Sequence, residues 1–186
     1  YRKNGEIVNN SSAENVKDLD KNMGSYAFDL LPGFDKYRTS EVHCLQKFEE
    51  SKMEKNGFLD VRSPYVALYT TLGCPYQCHF CMTNGIFGGP GSRGWSAPVV
   101  LSWIDELYNK YKVKNIRFDD ELFVLDNNRV NAICDSLIER NYDLNIYGYT
   151  AINSSSLKLI KKMSKAGFKW LSVGIEAGNV DVRESQ

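Results

Sequence analysis

The chain has 186 residues, of which 42% are hydrophobic and 25% charged, and its 23 basic and 23 acidic side chains balance to no formal net charge. These proportions are typical of a single globular domain that is long enough to bury a core. The balanced charge argues against a protein that works mainly by binding nucleic-acid phosphates. No apolar run reaches the length of a membrane span.

Residues 1–60 lack a regular hydrophobic period and are interpreted as a linker or N-terminal extension. The pair Asn4-Gly5 predicts a hairpin turn near the start of the chain. A helix is predicted from Val42 to Lys55, followed by an Asn-Gly pair that ends it. The chain begins at Tyr1 rather than at a methionine, so we expect a fragment or a processed product.

From residue 61 onward, strand-like and helix-like segments alternate. β-branched and aromatic residues predict four strands, and apolar stripes at helical spacing predict three helices between them. The predicted strands are Tyr65–Thr71, Asn115–Phe118, Leu144–Tyr149 and Trp170–Ile175, and the predicted helices are Pro98–Tyr111, Asn127–Arg140 and Ser154–Ala166. Ser96 is the predicted N-cap of the first helix, and Gly167 is predicted to end the third.

This alternation predicts the fold class. A repeated βα unit requires right-handed crossovers and a mostly parallel sheet, with the chemistry at the carboxyl ends of the strands. The sequence therefore predicts an α/β fold in which residues 61–186 form a partial (βα) barrel of parallel strands with the helices outside. Four strands are too few to close a barrel, so we expect this barrel to be truncated at its C-terminus.

A loop with three cysteines directly follows the first predicted strand. Cys74, Cys78 and Cys81 are spaced four and three residues apart, so one tight loop can present three thiolates to a single cluster. Thiolates are the usual ligands of iron–sulfur clusters. A cubane cluster held at three corners keeps one iron open, and an open iron is what a cluster needs to bind a substrate or cosubstrate.

Two other interpretations of these cysteines are a structural zinc site and three unligated thiols. Structural zinc sites usually pair two CxxC knuckles or add histidines at helical spacing, and this sequence has neither pattern. The chain has five cysteines, and an odd number with three in one loop makes a poor disulfide framework. Reduced thiols fit a cytoplasmic protein better. Cys134, on the apolar face of the second helix, is predicted to be a core residue.

The C-x3-C-x2-C loop, with aromatic Phe80 directly before the last cysteine, resembles the radical S-adenosylmethionine superfamily over roughly residues 64–178. The resemblance implies a [4Fe-4S] cluster held by the three cysteines, and an open iron that binds the amino and carboxylate groups of S-adenosylmethionine. It implies reductive cleavage of this cosubstrate to a 5′-deoxyadenosyl radical, with a reductant such as flavodoxin or ferredoxin as partner. It also makes Phe80 a cofactor-binding residue.

The same resemblance assigns carboxylates at the ends of two strands. The family usually has a Gly-Gly-Glu-like segment after the second strand, where this chain has Asp119-Asp120-Glu121. Glu121 aligns with the family glutamate and Asp120 is a close second, because either carboxylate can accept a hydrogen bond from the S-adenosylmethionine ammonium. The alternative role for these residues is to cap the next helix. Glu176, in Gly-Ile-Glu-Ala-Gly, is implied to contact the ribose or the amino acid part.

Two further segments, one containing Arg93 and one after the third strand, resemble the family less closely. Arg93 is either a partner for a carboxylate or substrate anion, or an exposed loop charge. After the third strand, Ala151 stands where many relatives have arginine, and Thr150 and Asn153 are expected to face the site. These positions carry no firm assignment, and no catalytic residue for the step after radical formation is assigned.

The Phe-Asp-Asp and Gly-Ile-Glu-Ala-Gly segments resemble most closely the branch of the superfamily with an upstream cobalamin-binding domain. That branch includes methyltransferases and ring-forming enzymes. No Asp-x-His-x-x-Gly cobalamin motif occurs in these 186 residues, so cobalamin would be used only through a domain absent here. The predicted function is a radical S-adenosylmethionine enzyme core acting on a small-molecule or unassigned substrate; the alternative is a noncatalytic zinc- or cluster-stabilised binding module.

Overall fold

A computed structural model describes residues 1–11, 13–36, 65–152 and 154–184. The helix predicted at 42–55, the domain boundary predicted at residue 60 and the site residue Asn153 lie outside these ranges. Within the described residues, no helix is both long enough and apolar enough to cross a membrane.

The chain opens with a hairpin of two short antiparallel strands, β1 (Arg2–Lys3) and β2 (Glu6–Ile7). Asn4 and Gly5 join them with φ angles of 51° and 86°. A two-residue turn of this kind needs a positive φ at both positions, and asparagine and glycine adopt it at the lowest cost. The predicted turn is confirmed.

The remaining elements follow in a regular order. They are α1 (Leu19–Asn22), β3 (Tyr65–Leu68), β4 (Thr71–Leu72), α2 (Thr83–Ile86), β5 (Arg93–Gly94), α3 (Ala97–Asn109), β6 (Asn115–Phe118), α4 (Asn127–Arg140), β7 (Asn145–Ala151), α5 (Leu157–Lys165), β8 (Phe168–Gly174) and α6 (Val180–Glu184). Two 3-10 turns, Phe28–Leu30 and Phe34–Lys36, lie between α1 and β3.

Four strands form one parallel sheet in the order β3, β6, β7, β8. The predicted α/β class and the parallel sheet with its crossover helices are confirmed, while closure toward a barrel stays a prediction. Parallel pairing in sequence order brings the carboxyl ends of all four strands to the same edge, which is the edge where the cysteine loop begins.

The two faces of this sheet differ. Val66, Leu68, Ile116, Phe118 and Ile146 alternate onto one face, where they are buried in a core shared with α3, α4 and α5. The residues between them point to the opposite face. There a row of side chains lies in register and remains exposed or half-exposed: Ala67, Arg117, Tyr147 and Trp170.

Most predicted bounds agree with the structure to within a few residues, and α4 has the predicted bounds. The first predicted strand is wrong at its end, because the chain leaves the sheet after Leu68 and starts a separate ladder at Thr71. The third helix begins at Leu157, three residues later than predicted. Ser156 is its N-cap and accepts a hydrogen bond from the Leu159 N–H at 3.2 Å.

The predicted helix ends are confirmed in position. Ser96 precedes α3, although its side chain makes no capping hydrogen bond; instead, its N–H donates to the Asp20 carboxylate at 2.9 Å. Gly167 follows Ala166, the C-cap of α5, and has a φ of 106°, in the left-handed conformation that commonly ends a helix.

The N-terminal segment packs on the core although its sequence has no period. Leu19, Phe28 and Phe34 are buried in the same cluster as the sheet. The Tyr26 hydroxyl donates to the Tyr69 carbonyl at 3.1 Å and accepts from the Tyr69 N–H at 2.9 Å. These side chains enter the core individually rather than from one face of a helix. The sequence therefore has no hydrophobic period that would predict their burial.

We expect Tyr26→Phe to lower the free energy of unfolding by about 1 kcal/mol, because the Tyr69 backbone loses the hydroxyl that pairs with both of its polar groups. Chemical denaturation followed by circular dichroism measures the change. Tyr1→Phe alters an exposed side chain and serves as the control, with a change below about 0.5 kcal/mol. Equal values for the two variants would contradict the expectation.

Candidate functional site

A short antiparallel ladder closes residues 73–92 into a loop at the carboxyl end of β3. In this ladder Thr71 of β4 pairs with Gly94 of β5, and Leu72 pairs with Arg93. The Gly91 N–H donates to the Cys74 carbonyl at 3.0 Å, so the ladder continues up to the first cysteine.

Gly73 fixes the mouth of this loop. Its φ is 85°, and a Cβ at this position would lie 2.5 Å from the Gly91 carbonyl oxygen. Only glycine allows that backbone conformation together with such a close approach. The loop therefore leaves the ladder with Cys74 held at its base.

The other two cysteines lie in a turn of the same loop. The Cys81 N–H donates to the Cys78 carbonyl at 3.0 Å, and the Cys81 thiol donates to the Thr83 hydroxyl at 3.1 Å. Cys81 is exposed, and Cys74 and Cys78 are half-buried. All three are free thiols rather than members of a disulfide, as the sequence predicts.

The pKa of the Cys74 thiol depends on the groups around it. Burial raises the pKa of the Cys74 thiol, and a backbone hydrogen bond from Tyr76 opposes that rise. The charges of Cys78, Cys81 and Glu121 raise this pKa further. Cys74 therefore lies within electrostatic range of Glu121, which follows the second core strand.

Three free thiols on one loop are a donor set that suits an iron–sulfur cluster, but their side chains do not converge. Among the described residues, no group of three histidine, cysteine, aspartate or glutamate side chains is arranged to hold a metal ion. Cys81 is turned toward Thr83. The donor types therefore fit a cluster, although the three thiols are not gathered around one point in this structure.

Phe80 lies on the surface of the loop, with 60% of its side chain exposed. Met82 and Ile86, which follow it, are exposed as well. An aromatic ring left outside the core in this way is available to cover a group bound at the neighbouring cysteines. Nothing in the core requires a phenylalanine here.

A polar cleft of about 360 Å³ opens at the carboxyl ends of β3, β6 and β7. It is lined by Tyr69, Arg117, Asp119, Asp120, Glu121 and Tyr149. Only Asp120 and Glu121 were predicted as site residues. The structure adds the others because strands that neighbour each other in space bring their ends together.

Arg117 organises the open side of this cleft. It forms an ion pair with Asp119 and donates a hydrogen bond to the Tyr149 hydroxyl. Its guanidinium lies 5.4 Å from the ring centroids of both Tyr147 and Tyr149. An arginine at an alternate position in a short apolar strand is the sequence signal that could have indicated this role.

Asp120 belongs to the lining of the cleft but is fully buried. Its carboxylate accepts hydrogen bonds from the Thr70 N–H, the Thr70 hydroxyl and the Thr71 N–H. Burial raises the pKa of this carboxyl, whereas these hydrogen bonds and the charge of Arg129 oppose the rise. Both oxygens are thus used inside the chain. The capping role that was the alternative for this acidic run belongs to Asp126, which accepts from two N–H groups of α4.

Glu176 lies just past the end of β8, at the same edge of the sheet as the cysteine loop. It is exposed and has a φ of 63°. Its carboxylate folds back over Gly174, where a Cβ would lie 2.3 Å from the Glu176 Oε1 atom. A glycine at position 174 is therefore required for this carboxylate position.

The structure also shows where two less specific sequence predictions, Arg93 and Thr150, lie. Arg93 donates to the Val16 carbonyl at 3.2 Å, which ties the cysteine loop to the N-terminal segment. Thr150 is buried, and its hydroxyl lies 3.0 Å from the Ser154 hydroxyl. The expectation that Thr150 faces the site is therefore wrong, because its side chain is on the helix-covered face of the sheet.

A larger hollow of about 710 Å³ lies elsewhere, between the N-terminal segment and the first turns of α3 and α4. None of its lining residues is a cysteine. Its three carboxylates, Asp18, Asp20 and Asp126, each accept a backbone N–H. The smaller cleft has no cysteine in its lining either, but it contains the predicted site residues Asp120 and Glu121, and the charge of Glu121 acts on Cys74. The smaller cleft is therefore the candidate site.

No protein-family model matches the chain. Over 184 residues, or 99% of the chain, the sequence is 26% identical to an uncharacterized methyltransferase of Pyrococcus horikoshii. The match covers 35% of that protein, so the chain spans about a third of the length of this curated relative.

The fold is similar to that of TsrM, a radical S-adenosylmethionine methyltransferase from Kitasatospora setae. The TsrM structure with tryptophan substrate and a S-adenosylmethionine analogue matches with a TM-score of 0.56 at 16% identity, over 63% of this chain and 23% of TsrM. The structure with cobalamin and a [4Fe-4S] cluster gives 0.56 at 15% identity, over 62% and 23%. At these identities the likeness shows the fold alone.

In the reduced, metal-free protein we expect iodoacetamide to modify Cys81 at least about tenfold faster than Cys134. Cys134 is buried, and burial raises the pKa of its thiol to about 12, whereas Cys81 is exposed. Peptide mass spectrometry over a time course measures both rates. In guanidinium chloride the two rates should converge, and equal rates in the native protein would contradict the described burial.

Proposed function

We propose that this chain is the core of a radical S-adenosylmethionine enzyme that holds a [4Fe-4S] cluster at Cys74, Cys78 and Cys81. The observation that carries the proposal is the set of three free thiols on one ladder-closed loop at the carboxyl edge of a parallel sheet. The fold likeness to TsrM and the sequence similarity to a methyltransferase support it.

In this proposal the cluster, when bound, supplies the electron that cleaves S-adenosylmethionine to a 5′-deoxyadenosyl radical. The protein's own part is to bind, orient and exclude water. Glu121 is assigned to accept hydrogen bonds from the ammonium group, since it lines the cleft and its charge acts on Cys74. Asp120, the second candidate from the sequence, is not assigned this role because Thr70 and Thr71 occupy both of its oxygens.

Two further residues complete the proposed cosubstrate site. Glu176 is assigned to the ribose or the amino acid part, because it lies exposed at the carboxyl edge. Phe80 is assigned to cover the cluster, because its aromatic ring directly precedes Cys81 and is exposed. Neither side chain has a role in the core, so both are free to contact a ligand.

The reaction that we favour is methylation of a small-molecule substrate. A methyltransferase is the relative that matches nearly the whole chain; ring formation is the other reaction that the sequence resemblance implies. An electron donor such as flavodoxin or ferredoxin would supply the reductant, and cobalamin would act only through a domain absent from these 186 residues. Free thiols at the site fit a reducing compartment such as the cytoplasm.

Anaerobic reconstitution tests the cluster. We expect about four irons and four sulfides per chain in the unsubstituted protein, and 5′-deoxyadenosine on addition of dithionite and S-adenosylmethionine. The triple variant with Cys74, Cys78 and Cys81 replaced by alanine should lose both the metal and the product. Cys134→Ala is the matched control, since that thiol is buried in the core, and should keep the iron.

Purification of the protein with zinc and without iron or sulfide would contradict the proposal and favour the noncatalytic binding module. A reconstituted cluster without any 5′-deoxyadenosine would retain the metal site. It would exclude the radical chemistry if a full-length protein also gave no product, and would mean a folded but inactive truncated chain if the full-length protein did give it. Each outcome is decided by metal analysis together with chromatography of the products.

We expect Glu121→Gln to raise the dissociation constant for S-adenosylmethionine about tenfold, because a neutral amide accepts a weaker hydrogen bond from an ammonium than a carboxylate does. Isothermal titration calorimetry with the reconstituted protein measures the constant. Glu139→Gln changes an exposed carboxylate on α4 and should leave it unchanged. An unchanged constant in Glu121→Gln would remove this residue from the proposed site.

A further inference from the structure

Both ends of the cysteine loop meet at one point of the fold. The chain leaves the sheet after Leu68 and reaches the start of α3 just after Trp95, and the Trp95 N–H donates to the Thr70 carbonyl at 3.1 Å. Everything between these two residues, including the three cysteines, depends on this point for its position. The side chains that surround it therefore decide where the loop stands relative to the sheet.

One buried carboxylate holds the outgoing end. Asp120, at the end of β6, accepts from the N–H and the hydroxyl of Thr70 and from the N–H of Thr71. These contacts satisfy the backbone where the chain turns out of β3, at a place where neighbouring strands no longer supply partners. Asp120 is thereby tied to the loop rather than to the solvent.

One arginine holds both ends together. The Arg129 Nε atom, from the first turn of α4, donates to the Trp95 carbonyl at 2.7 Å, and its Nη2 atom donates to the Thr70 carbonyl at 3.0 Å. A planar guanidinium offers two donors in a fixed fork, which a lysine ammonium does not. The helix is thus fastened to the exit and the return of the loop at the same time.

This arrangement is expensive for stability alone. Arg129 is half-buried, and its Nη1 atom is buried with no hydrogen-bond partner among the described residues. The opposite charges of Asp120 and Arg129 act on each other through space, but burying two opposite charges is commonly no more stabilising than burying apolar side chains of the same size. What the pair does supply is a fixed geometry for backbone groups that apolar side chains could not bind.

We propose that Asp120 and Arg129 are positioning residues for the cysteine loop. They hold both of its ends against the carboxyl edge of the sheet, and thereby fix where the loop that carries the three thiols stands relative to that edge. The inference rests on the proposed function, since the purpose of the position is to hold the cluster.

The test compares three variants of the full chain. Arg129→Gln removes the charge and the fork, whereas Arg129→Lys keeps the charge and loses the second donor. Arg140→Gln is the matched control: Arg140 lies on the same helix and makes a paired contact with Asp105 at 2.7 Å and 3.0 Å, on the side facing α3. Thermal unfolding of each variant records how much global stability is lost.

The first readout needs no cluster. In the reduced, metal-free protein we expect hydrogen exchange in peptides from residues 73–92 to become about tenfold faster in Arg129→Gln, because the loop ends lose hydrogen bonds to a charged group. Arg129→Lys should lie between this variant and the unsubstituted chain. Arg140→Gln should leave exchange in these peptides unchanged, even where its unfolding temperature falls by a similar amount.

The second readout is the cluster itself. After reconstitution we expect Arg129→Gln to hold less than half of the iron of the unsubstituted chain and to show an altered electron paramagnetic resonance spectrum in the presence of S-adenosylmethionine, with partial recovery in Arg129→Lys. Unchanged exchange and an unchanged spectrum in Arg129→Gln would overturn the inference. Failure of the unsubstituted chain to bind iron would instead overturn the proposed function, while the exchange measurement would still decide whether the pair holds the loop.

Discussion

Parallel pairing of β3, β6, β7 and β8 is the constraint on which the other features depend. Parallel neighbours cannot be joined by a tight turn, so each strand is followed by a crossover, and the helices α3, α4 and α5 cover one face. The carboxyl ends of all four strands then share one edge. Residues that are far apart in the sequence, such as Cys74 and Glu176, are brought to that edge by the pairing alone.

The three acidic residues that follow β6 have three different roles at the carboxyl edge of the sheet. Adjacent carboxylates repel each other unless each has a partner of its own. Here Asp119 pairs with Arg117, Asp120 binds the backbone at Thr70 and Thr71, and Glu121 faces the cleft. Successive residues point in different directions, so one run serves the open face of the sheet, the loop ends and the candidate binding site.

The four core strands and the helices α3, α4 and α5 were predictable because local signals agree with the tertiary contacts there, whereas the short elements β4, α2, β5 and α6 were not predicted. The apolar stripe of α4 and the left-handed Gly167 are local properties of the sequence. The early end of β3 was not predictable. Tyr65 to Thr71 is uniformly rich in strand formers, and the break after Leu68 depends on Asp120, Arg129 and Tyr26, which lie some 50 residues or more away or in another segment.

The sequence by itself determined the chemistry that is available: three free thiols with a fixed spacing, two glutamates at strand ends and an alternating βα order. Spacing along a loop is a local property of the sequence, so it can be determined without knowledge of the fold. The tertiary structure alone decided which carboxylate is open and which is used internally. Asp120 and Glu121 are neighbours with the same functional group, and only the direction in which each leaves the backbone separates a buried partner of the loop from a residue of the cleft.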